Sequence, residues 1–497
     1  MIGFDHVSFS YRAPAAADGA GVEDVSLSVG SGEVVVLCGR SGCGKSTLLR
    51  LAGGLAPRFF PGELLGSALL DGEAVDGLTT WEIIAQRAGS LFQNPRTQFF
   101  NVDTTGEVAF ALESAGRPEE DIRARVEATF EELGLRSLAG RNIFQLSGGE
   151  RQKVAFASIW AMHPTNLLLD EPTSNLDLPS TADMAEFVKH AKESGCAVLI
   201  AEHRLSWLTG IADSYVFLEN GRLRSVMTAG EFAALEAEEV SRMGLRVRDP
   251  EEIIPRAAAA REGSTVRDAA PNPLLAARGL TLDRGGEPVL REVDLDLFAG
   301  EVCALIGSNG AGKTTLCRTL CGFEPKARGT VTIGDAATTR KKRTRVSSMV
   351  FQDVNYQLFA ENVAAEVTFG LPRRRAGAVD TETVLRELAL DDVADRHPAT
   401  LSGGQKQRLA VAACVAADKR ILVFDEPTSG IDLDGMHRVA RLLRRLADRG
   451  RAVLVITHDL ELIACACDRV LHMDGGRITE QAQVTDGFDA IREMMGS

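Results

Sequence analysis

Two short glycine-rich stretches have the residue types and the spacing that can hold a triphosphate. Residues 39–47 read GRSGCGKST and residues 307–315 read GSNGAGKTT. In each, glycines let backbone N–H groups point at an anion, a lysine adds a mobile cation, and a hydroxyl residue can bind Mg²⁺. One such match could arise by chance in a chain of this length. Two matches in the same context predict two phosphate-binding loops.

Each loop lies between an apolar run and a predicted helix. Residues 34–38 (VVVLC) and 302–306 (VCALI) are short and apolar, as buried parallel strands are. The residues after each loop lysine read as the start of a helix, whose N-terminus adds a positive dipole. Strand, loop and helix therefore follow one another in the order that a phosphate loop requires.

The chain contains an internal duplication. LSGG at residues 146–149 recurs at 401–404, and DEPTS at 170–174 recurs at 425–429, both at an offset of 255 positions. A single histidine, His203, recurs as His458 at the same offset. We therefore predict a first domain at residues 1–235 and a second at 272–497. Residues 236–271 mix charges, alanines and prolines without sustained periodicity, so we predict a linker there.

Strands and helices alternate within each copy, which predicts an α/β fold with a mostly parallel central sheet covered on both faces. Residues 9–11 and 25–29 alternate like antiparallel strands and predict an N-terminal antiparallel β-subdomain. Residues 119–133 and 381–388 carry helical spacing with many charges. We expect them to form an inserted α-helical subdomain between the phosphate loop and LSGG.

Composition restricts the class of protein. The 497 residues contain no run of about 18 uncharged apolar residues, and the N-terminus has no basic segment followed by an apolar one, so we expect neither a membrane span nor a signal peptide. Nine scattered cysteines indicate a reducing cytosol. A net charge of −14 and a pI near 5.2 argue against nucleic acid as the main partner.

With its motifs in this order, the chain resembles two fused nucleotide-binding domains of the ABC ATPase family over nearly its whole length. Each copy has a phosphate loop, a glutamine after a strand, LSGG, a strand ending in Asp-Glu, a Ser-x-x-Asp and a late histidine. The resemblance implies two P-loop NTPase domains, ATP and Mg²⁺ as cofactors, and ATP hydrolysis. Because neither copy lacks the catalytic glutamate or the histidine, we predict two competent sites.

The resemblance also implies a role for each motif. The glutamates would orient or deprotonate the attacking water and the histidines would hydrogen-bond the γ-phosphate. The expected catalytic residues are Glu171, Glu426, His203 and His458. Oxygen ligands suit Mg²⁺. The expected Mg²⁺-site residues are Ser46, Gln93, Asp170, Thr314, Gln352 and Asp425.

In the family, LSGG closes over the nucleotide of the facing domain, so two composite head-to-tail sites are implied within one chain. The nucleotide-binding residues expected from the first copy are Tyr11, Gly39, Arg40, Ser41, Gly42, Cys43, Gly44, Lys45, Ser46, Thr47, Gln93, Ser147, Gly148, Gly149 and Glu150. Those expected from the second copy are Gly307, Ser308, Asn309, Gly310, Ala311, Gly312, Lys313, Thr314, Thr315, Gln352, Ser402, Gly403, Gly404 and Gln405. Ser147 and Ser402 would cap helices, and the glycines that follow them would leave backbone N–H groups open to an anion.

The two copies differ at the position expected to stack on adenine. Tyr11 supplies an aromatic ring in the first copy, whereas residues 280–284 (LTLDR) of the second supply none. Arg284 could stack there as a planar cation. Whether adenine stacks on Arg284 is left open by the sequence.

Residues 93–100 (QNPRTQFF) and 352–359 (QDVNYQLF) resemble the ATPases of energy-coupling factor importers, which take up vitamins, vitamin precursors and transition-metal ions. This resemblance implies a motor at the cytoplasmic face of the cell membrane, with a transmembrane coupling subunit and a separate solute-binding membrane subunit as partners. Phe99 and Phe100 would then line a docking groove, although either could instead belong to the core. Residues 56–67 (APRFFPGELLGS) resemble fused ATPases linked to thiamine-precursor uptake.

Two other classes of ABC protein also carry two ATPase domains in one chain. Fused ATPases of sugar-type importers typically have an altered second phosphate loop, whereas GSNGAGKTT is intact. Twin ABC proteins that act on ribosomes usually have a long basic helical linker, whereas residues 236–271 are short, mixed in charge and interrupted by prolines. The sequence therefore favours the energy-coupling factor type.

Overall fold

The computed structural model of the protein describes residues 1–12, 21–93, 98–174, 176–253, 272–485 and 487–496. The chain divides into two compact units, Met1–Asp249 and Pro250–Ser497.

Two sheets form the framework of the first unit in the part of the chain that the structure describes. One has the strand order β2-β1-β4-β5 and is antiparallel, and the other has the order β10-β9-β3-β8-β7-β6. The strands are β1 Ile2–Tyr11, β2 Gly21–Val29, β3 Val34–Cys38, β4 Gly62–Leu70, β5 Glu73–Ala74, β6 Ala88–Leu91, β7 Asn166–Asp170, β8 Ala197–Ala201, β9 Ser214–Glu219 and β10 Arg222–Thr228. In the larger sheet every neighbouring pair is parallel except β9 with β10.

The helices of the first unit follow the parallel strands and form the segment between β6 and β7. Within the described residues they are Lys45–Ala52, Thr80–Glu82 with a π-helical turn at Ile83–Arg87, Thr104–Ser114, Glu119–Glu132, Gly148–Trp160, Leu178–Glu193, Ala229–Ala234 and Ala237–Arg242. The predicted helix at 119–133 is thus present, as part of the inserted helical segment.

The second unit repeats this architecture, with sheet orders β12-β11-β14-β15 and β16-β17-β18-β13-β19-β20. Its described strands are β11 Leu275–Arg284, β12 Glu287–Leu297, β13 Val302–Ile306, β14 Arg328–Ile333, β15 Ala336–Ala337, β16 Ser347–Val350, β17 Ile421–Asp425, β18 Ala452–Ile456, β19 Arg469–Asp474 and β20 Arg477–Gln483. Its described helices are Lys313–Cys321, Arg340–Val346, Val363–Thr368, Arg373–Ala376, Thr381–Glu387, Gly403–Ala416, Leu433–Asp448, Leu460–Ala466 and Phe488–Met495.

Burial explains why the central strands are short apolar runs. All five residues of β3, β8, β13 and β18 are buried, because helices or the antiparallel sheet cover both faces of each parallel sheet. Phe156 and Phe424 are among the largest side chains that are fully buried. The predicted α/β class, with a mostly parallel central sheet and an antiparallel sheet in each copy, is confirmed.

The predicted linker begins at Glu236, but part of it packs on the first unit. Val240 and Leu245 are buried in the same hydrophobic cluster as the central strands of that unit. Residues 254–271 lie outside the described residues, and the domain limits drawn from the sequence stay a prediction. Among the helices that the structure describes, none is long and apolar enough to cross a membrane.

Candidate active site

Each phosphate loop connects the end of a central strand to a helix that begins at the loop lysine. Gly44 and Gly312 cap these helices with φ values of 106° and 102°, in the left-handed region that favours glycine. A Cβ atom at Gly44 would lie 2.6 Å from Cγ1 of Val22. Both the backbone conformation and the neighbouring strand therefore require glycine at this position.

The loop lysines point into their own loops. Nζ of Lys45 donates to the carbonyl oxygen of Gly39 at 2.9 Å, and Nζ of Lys313 donates to that of Gly307 at 2.6 Å. Both lysines are buried. Each ammonium group is therefore held where the loop backbone surrounds it, in position to pair with an anion.

The hydroxyl residue after each lysine contacts the aspartate at the end of a central strand. Ser46 donates to Asp170 at 2.9 Å, and Thr314 donates to Asp425 at 2.8 Å. Burial raises the pKa of both aspartates, and that of Asp425 rises to about 6. A buried carboxylate beside a hydroxyl oxygen is a fitting pair of ligands for Mg²⁺, which prefers oxygen and would offset the burial of the negative charge.

The glutamate that follows each aspartate has an unusual backbone conformation. Glu171 and Glu426 have φ values of 48° and 51°, although neither is glycine. Their backbone N–H groups still bond to the neighbouring strand of the sheet. That of Glu171 donates to the carbonyl oxygen of Ala201 at 2.8 Å, and that of Glu426 donates to the carbonyl oxygen of Ile456 at 2.9 Å. The chain thus turns sharply after the last sheet hydrogen bond, a conformation that costs about 1–3 kcal/mol and is frequent at active sites.

Two side chains of the first unit contact Glu171. Gln93 donates to its Oε2 at 2.7 Å, and Nε2 of His203 lies 3.5 Å from its Oε1. Nε2 of His203 is also 3.4 Å from Nζ of Lys45. Burial raises the pKa of Glu171 well above its ordinary range, and the nearby charges of Asp170 and Glu202 raise it further. A carboxylate with a raised pKa is a stronger base toward water.

The second unit brings together the corresponding glutamate and histidine but not the glutamine. Nε2 of His458 lies 3.6 Å from Oε1 of Glu426, whereas Gln352 is exposed. Its counterpart in the first unit, Gln93, is only partly exposed. The two units therefore share the glutamate–histidine pair and differ in the placement of the glutamine.

LSGG forms the N-terminus of a helix in both units. Ser147 accepts a hydrogen bond from N–H of Glu150 at 3.2 Å, and Glu150 accepts one from N–H of Ser147 at 2.7 Å. Ser402 and Gln405 form the same reciprocal capping box. The pairing of each LSGG with the phosphate loop of the other unit stays a prediction.

Tyr11 and Arg284 occupy equivalent ends of β1 and β11 but have different partners. The hydroxyl of Tyr11 lies 3.1 Å from Oγ1 of Thr47, at the end of the phosphate loop. Arg284 instead donates to Glu324 at 2.6 Å, and Glu324 also pairs with Arg318 at 3.1 Å. The guanidinium of Arg284 is thus held by a carboxylate in this structure.

A second pair of repeated polar residues, Gln98 and Gln357, was not among the predicted site residues. Gln98 accepts from N–H of Phe92 at 2.9 Å and donates to the carbonyl of Ser90 at 2.9 Å, so its amide pairs with the edge strand β6 as another strand would. Gln357 does the same beside β16. The spacing was detectable, because Gln98 and Gln357 lie at the same offset as Gln93 and Gln352.

The chain is similar to known proteins over nearly its whole length. The family model described as ABC transporter matches residues 22–174 and 290–429. A Treponema denticola protein named as an ABC transporter ATP-binding protein is 42% identical and is matched over 97% of both chains. YkoD of Bacillus subtilis, named as an HMP/thiamine import ATP-binding protein, is 31% identical over 95% of this chain and 89% of its own length.

A solved structure of an RNase-L inhibitor covers 98% of this chain and 93% of that chain, with a TM-score of 0.61 and 21% identity. At this identity the likeness supports the fold alone. The family model, in contrast, matches more than half of the chain and both of its copies. The chain therefore belongs to the ABC transporter family, as an ATPase that carries two ABC domains in one polypeptide.

Proposed function

We propose that the chain is the ATP-hydrolysing motor of a membrane importer of the energy-coupling factor type. The relative YkoD, whose name refers to HMP and thiamine import, supports an importer of a vitamin or vitamin precursor. A metal ion stays an alternative solute. In this proposal the protein lies at the cytoplasmic face of the membrane and binds a transmembrane coupling subunit, while a separate membrane subunit binds the solute.

The observation that carries this proposal is an exposed aromatic surface that follows the glutamine of the first unit in the sequence. Phe100 is 73% exposed and stacks on Phe110, with their ring centroids 4.9 Å apart, whereas Phe99 is partly buried against the core. Phe99 thus packs on the core, whereas Phe100 is exposed and accessible to a partner. Residues 94–97 lie outside the described residues.

The second unit exposes aromatic rings at the equivalent place. Phe359 is 67% exposed and lies 6.1 Å from Phe369, ring centroid to ring centroid, and Tyr356, a little earlier in the chain, is also exposed. We call Phe100 and Phe110, together with Phe359 and Phe369, the aromatic docking residues. Exposed aromatic pairs are favourable anchors for a protein partner, because they bury a large apolar area at little entropic cost.

The residues around Glu171 and Glu426 would carry out ATP hydrolysis. When bound, Mg²⁺ would neutralise charge on the β- and γ-phosphates, held through Ser46 and Asp170 or through Thr314 and Asp425. Glu171 would orient the water and accept its proton, and His203 would donate a hydrogen bond to the γ-phosphate. In the composite arrangement, LSGG of each unit would cover the nucleotide of the other unit.

Co-purification tests the transport part of the proposal. The tagged chain is isolated from solubilised membranes of its own host, and the recovered proteins are identified by mass spectrometry. We expect a detergent-dependent complex with small polytopic membrane proteins. The Phe100→Ser variant should recover much less of them, whereas Phe59→Ser, which replaces another exposed phenylalanine outside the docking residues, should not. Recovery of ribosomes without membrane proteins would refute an importer.

Separate Glu171→Gln and Glu426→Gln variants test the two catalytic sites. Each should lower the steady-state rate of ATP hydrolysis at least tenfold while ATP binding is retained, because the amide cannot accept the proton of water. If one variant abolishes turnover and the other leaves it unchanged, the proposal of two competent sites is wrong.

A further inference from the structure

A buried carboxylate in the first unit connects the loop after Glu171 to the loop that carries His203. The hydroxyl of Thr173 donates to Oε2 of Glu202 at 2.7 Å. The other oxygen of Glu202 accepts from the N–H of His203 at 2.7 Å and from that of Arg204 at 3.1 Å. Glu202 is 2% exposed, so these hydrogen bonds lie in a site with little water.

The second unit makes the same connection with a residue at a different position. The hydroxyl of Thr428 donates to Oδ2 of Asp459 at 2.7 Å. Asp459 donates its N–H to Oγ1 of Thr457 at 3.0 Å and accepts from N–H of Leu462 at 3.2 Å. Asp459 is also buried.

The carboxylate has therefore changed sides of the histidine between the two copies. At the offset of the duplication, Glu202 corresponds to Thr457 and Arg204 corresponds to Asp459. Glutamate before the histidine and aspartate after it both reach the hydroxyl of the equivalent threonine at 2.7 Å. The repeated feature is the contact with threonine and not the position of the acid in the sequence.

We propose that Glu202 and Asp459 are equivalent positioning residues, each of which fixes the catalytic glutamate relative to the histidine by binding the threonine two residues after that glutamate. Neither acid needs to touch ATP. The glutamate is held in a strained left-handed conformation, with φ values of 48° and 51° in the two units. A hydrogen bond to the same tight turn opposes relaxation of this strain.

This inference rests on the proposed catalytic roles of Glu171 and His203, and transplantation between the units tests it. Glu202→Thr alone should lower kcat for ATP by about tenfold or more, with little change in KM, because only the geometry of the reacting groups is disturbed. Adding Arg204→Asp gives the first unit the arrangement of the second. The double variant should regain most of the lost kcat.

The reciprocal double variant, Thr457→Glu with Asp459→Arg, tests the same idea in the second unit. It should also keep most of the parent kcat, whereas Asp459→Arg alone should lose it. As a matched control, Thr129→Val removes a buried hydroxyl that donates to the carbonyl of Arg125, in the helical segment away from the site. Its kcat should equal that of the parent.

Thermal melting and ATP binding of every variant distinguish loss of folding from loss of positioning. If the single variants are folded and bind ATP but neither double variant recovers kcat, the equivalence of Glu202 and Asp459 is refuted. The proposed function fails in a different way: Glu171→Gln would retain normal hydrolysis, whatever the behaviour of the double variants. Equal kcat in Glu202→Thr and the parent would also overturn the inference.

Discussion

Replacement of Glu107 should loosen the loop that presents the aromatic docking residue Phe100. Glu107 lies in the helix Thr104–Ser114, is 3% exposed, and accepts hydrogen bonds from N–H of Phe100 at 2.9 Å and of Asn101 at 2.8 Å. Glu366 makes the equivalent bonds to Phe359 at 2.7 Å and Ala360 at 2.6 Å. One buried carboxylate thus holds two consecutive loop amides in each unit.

The size of the effect follows from the charge on the acceptor. A hydrogen bond to a charged group contributes about 1.5–3 kcal/mol, against about 1 kcal/mol for a neutral pair. Glu107→Gln keeps an oxygen acceptor but removes the charge, so each of the two bonds should lose about 1 kcal/mol. The opening free energy of the loop should fall by about 2 kcal/mol, which corresponds to roughly thirtyfold faster exchange of the two amides.

Hydrogen exchange of the full-length chain, read by mass spectrometry on peptides that contain Phe100 and Asn101, measures this change. Peptides from β3 and β7 should exchange at their parent rates, because these strands are buried and hydrogen-bonded to a neighbouring strand on both sides. Glu366→Gln should accelerate the amides of Phe359 and Ala360 without affecting the first unit. If Glu107→Gln leaves exchange of the loop within about threefold of the parent, the carboxylate does not hold this loop.

Three further predictions concern stability. Phe156→Ala should destabilise the first unit by about 3–5 kcal/mol, because this fully buried ring leaves a cavity; tryptophan fluorescence reports it, since all three tryptophans belong to that unit. Gly435→Ala should lower the melting temperature although alanine favours helices, because its Cβ would lie 2.0 Å from Cγ2 of Ile431. Glu132 pairs with Arg125 and accepts a hydrogen bond from Trp160, and these contacts hold its pKa below the ordinary value of 4.5 although burial acts to raise it. The stabilisation that they provide is therefore complete above pH 4.5 and is lost as pH falls through the lowered pKa. The difference in unfolding free energy between the parent and Glu132→Gln should therefore shrink in acid denaturation measurements.

Much of the fold, and the strand–loop–helix context of each phosphate loop, could be predicted because the responsible residues are close in sequence. A phosphate loop is a run of consecutive residues whose glycines and lysine act through local backbone geometry. The Asp-Glu pairs ending β7 and β17 were recognisable because apolar strands precede them. The sequence could not decide between Phe99 and Phe100, since two adjacent phenylalanines have the same local pattern although Phe99 packs on the core and Phe100 is exposed. The sequence also could not predict that Gln352 is exposed whereas Gln93 contacts Glu171, because this difference depends on contacts that no local pattern records.

The contact between Thr173 and Glu202 shows why comparison of the two copies by position has a limit. Position-by-position comparison aligns Glu202 with Thr457, which suggests that an acid was lost from the second copy. In space the acid is present, because Asp459 reaches Thr428 from the other side of the histidine. Glutamate is one methylene longer than aspartate, and the two acids approach from different backbone positions, so the same 2.7 Å contact is made in both units. The place of the carboxylate is therefore constrained more strongly than the residue that supplies it, and a duplicated site can change which residue supplies the acid while the hydrogen bond is maintained.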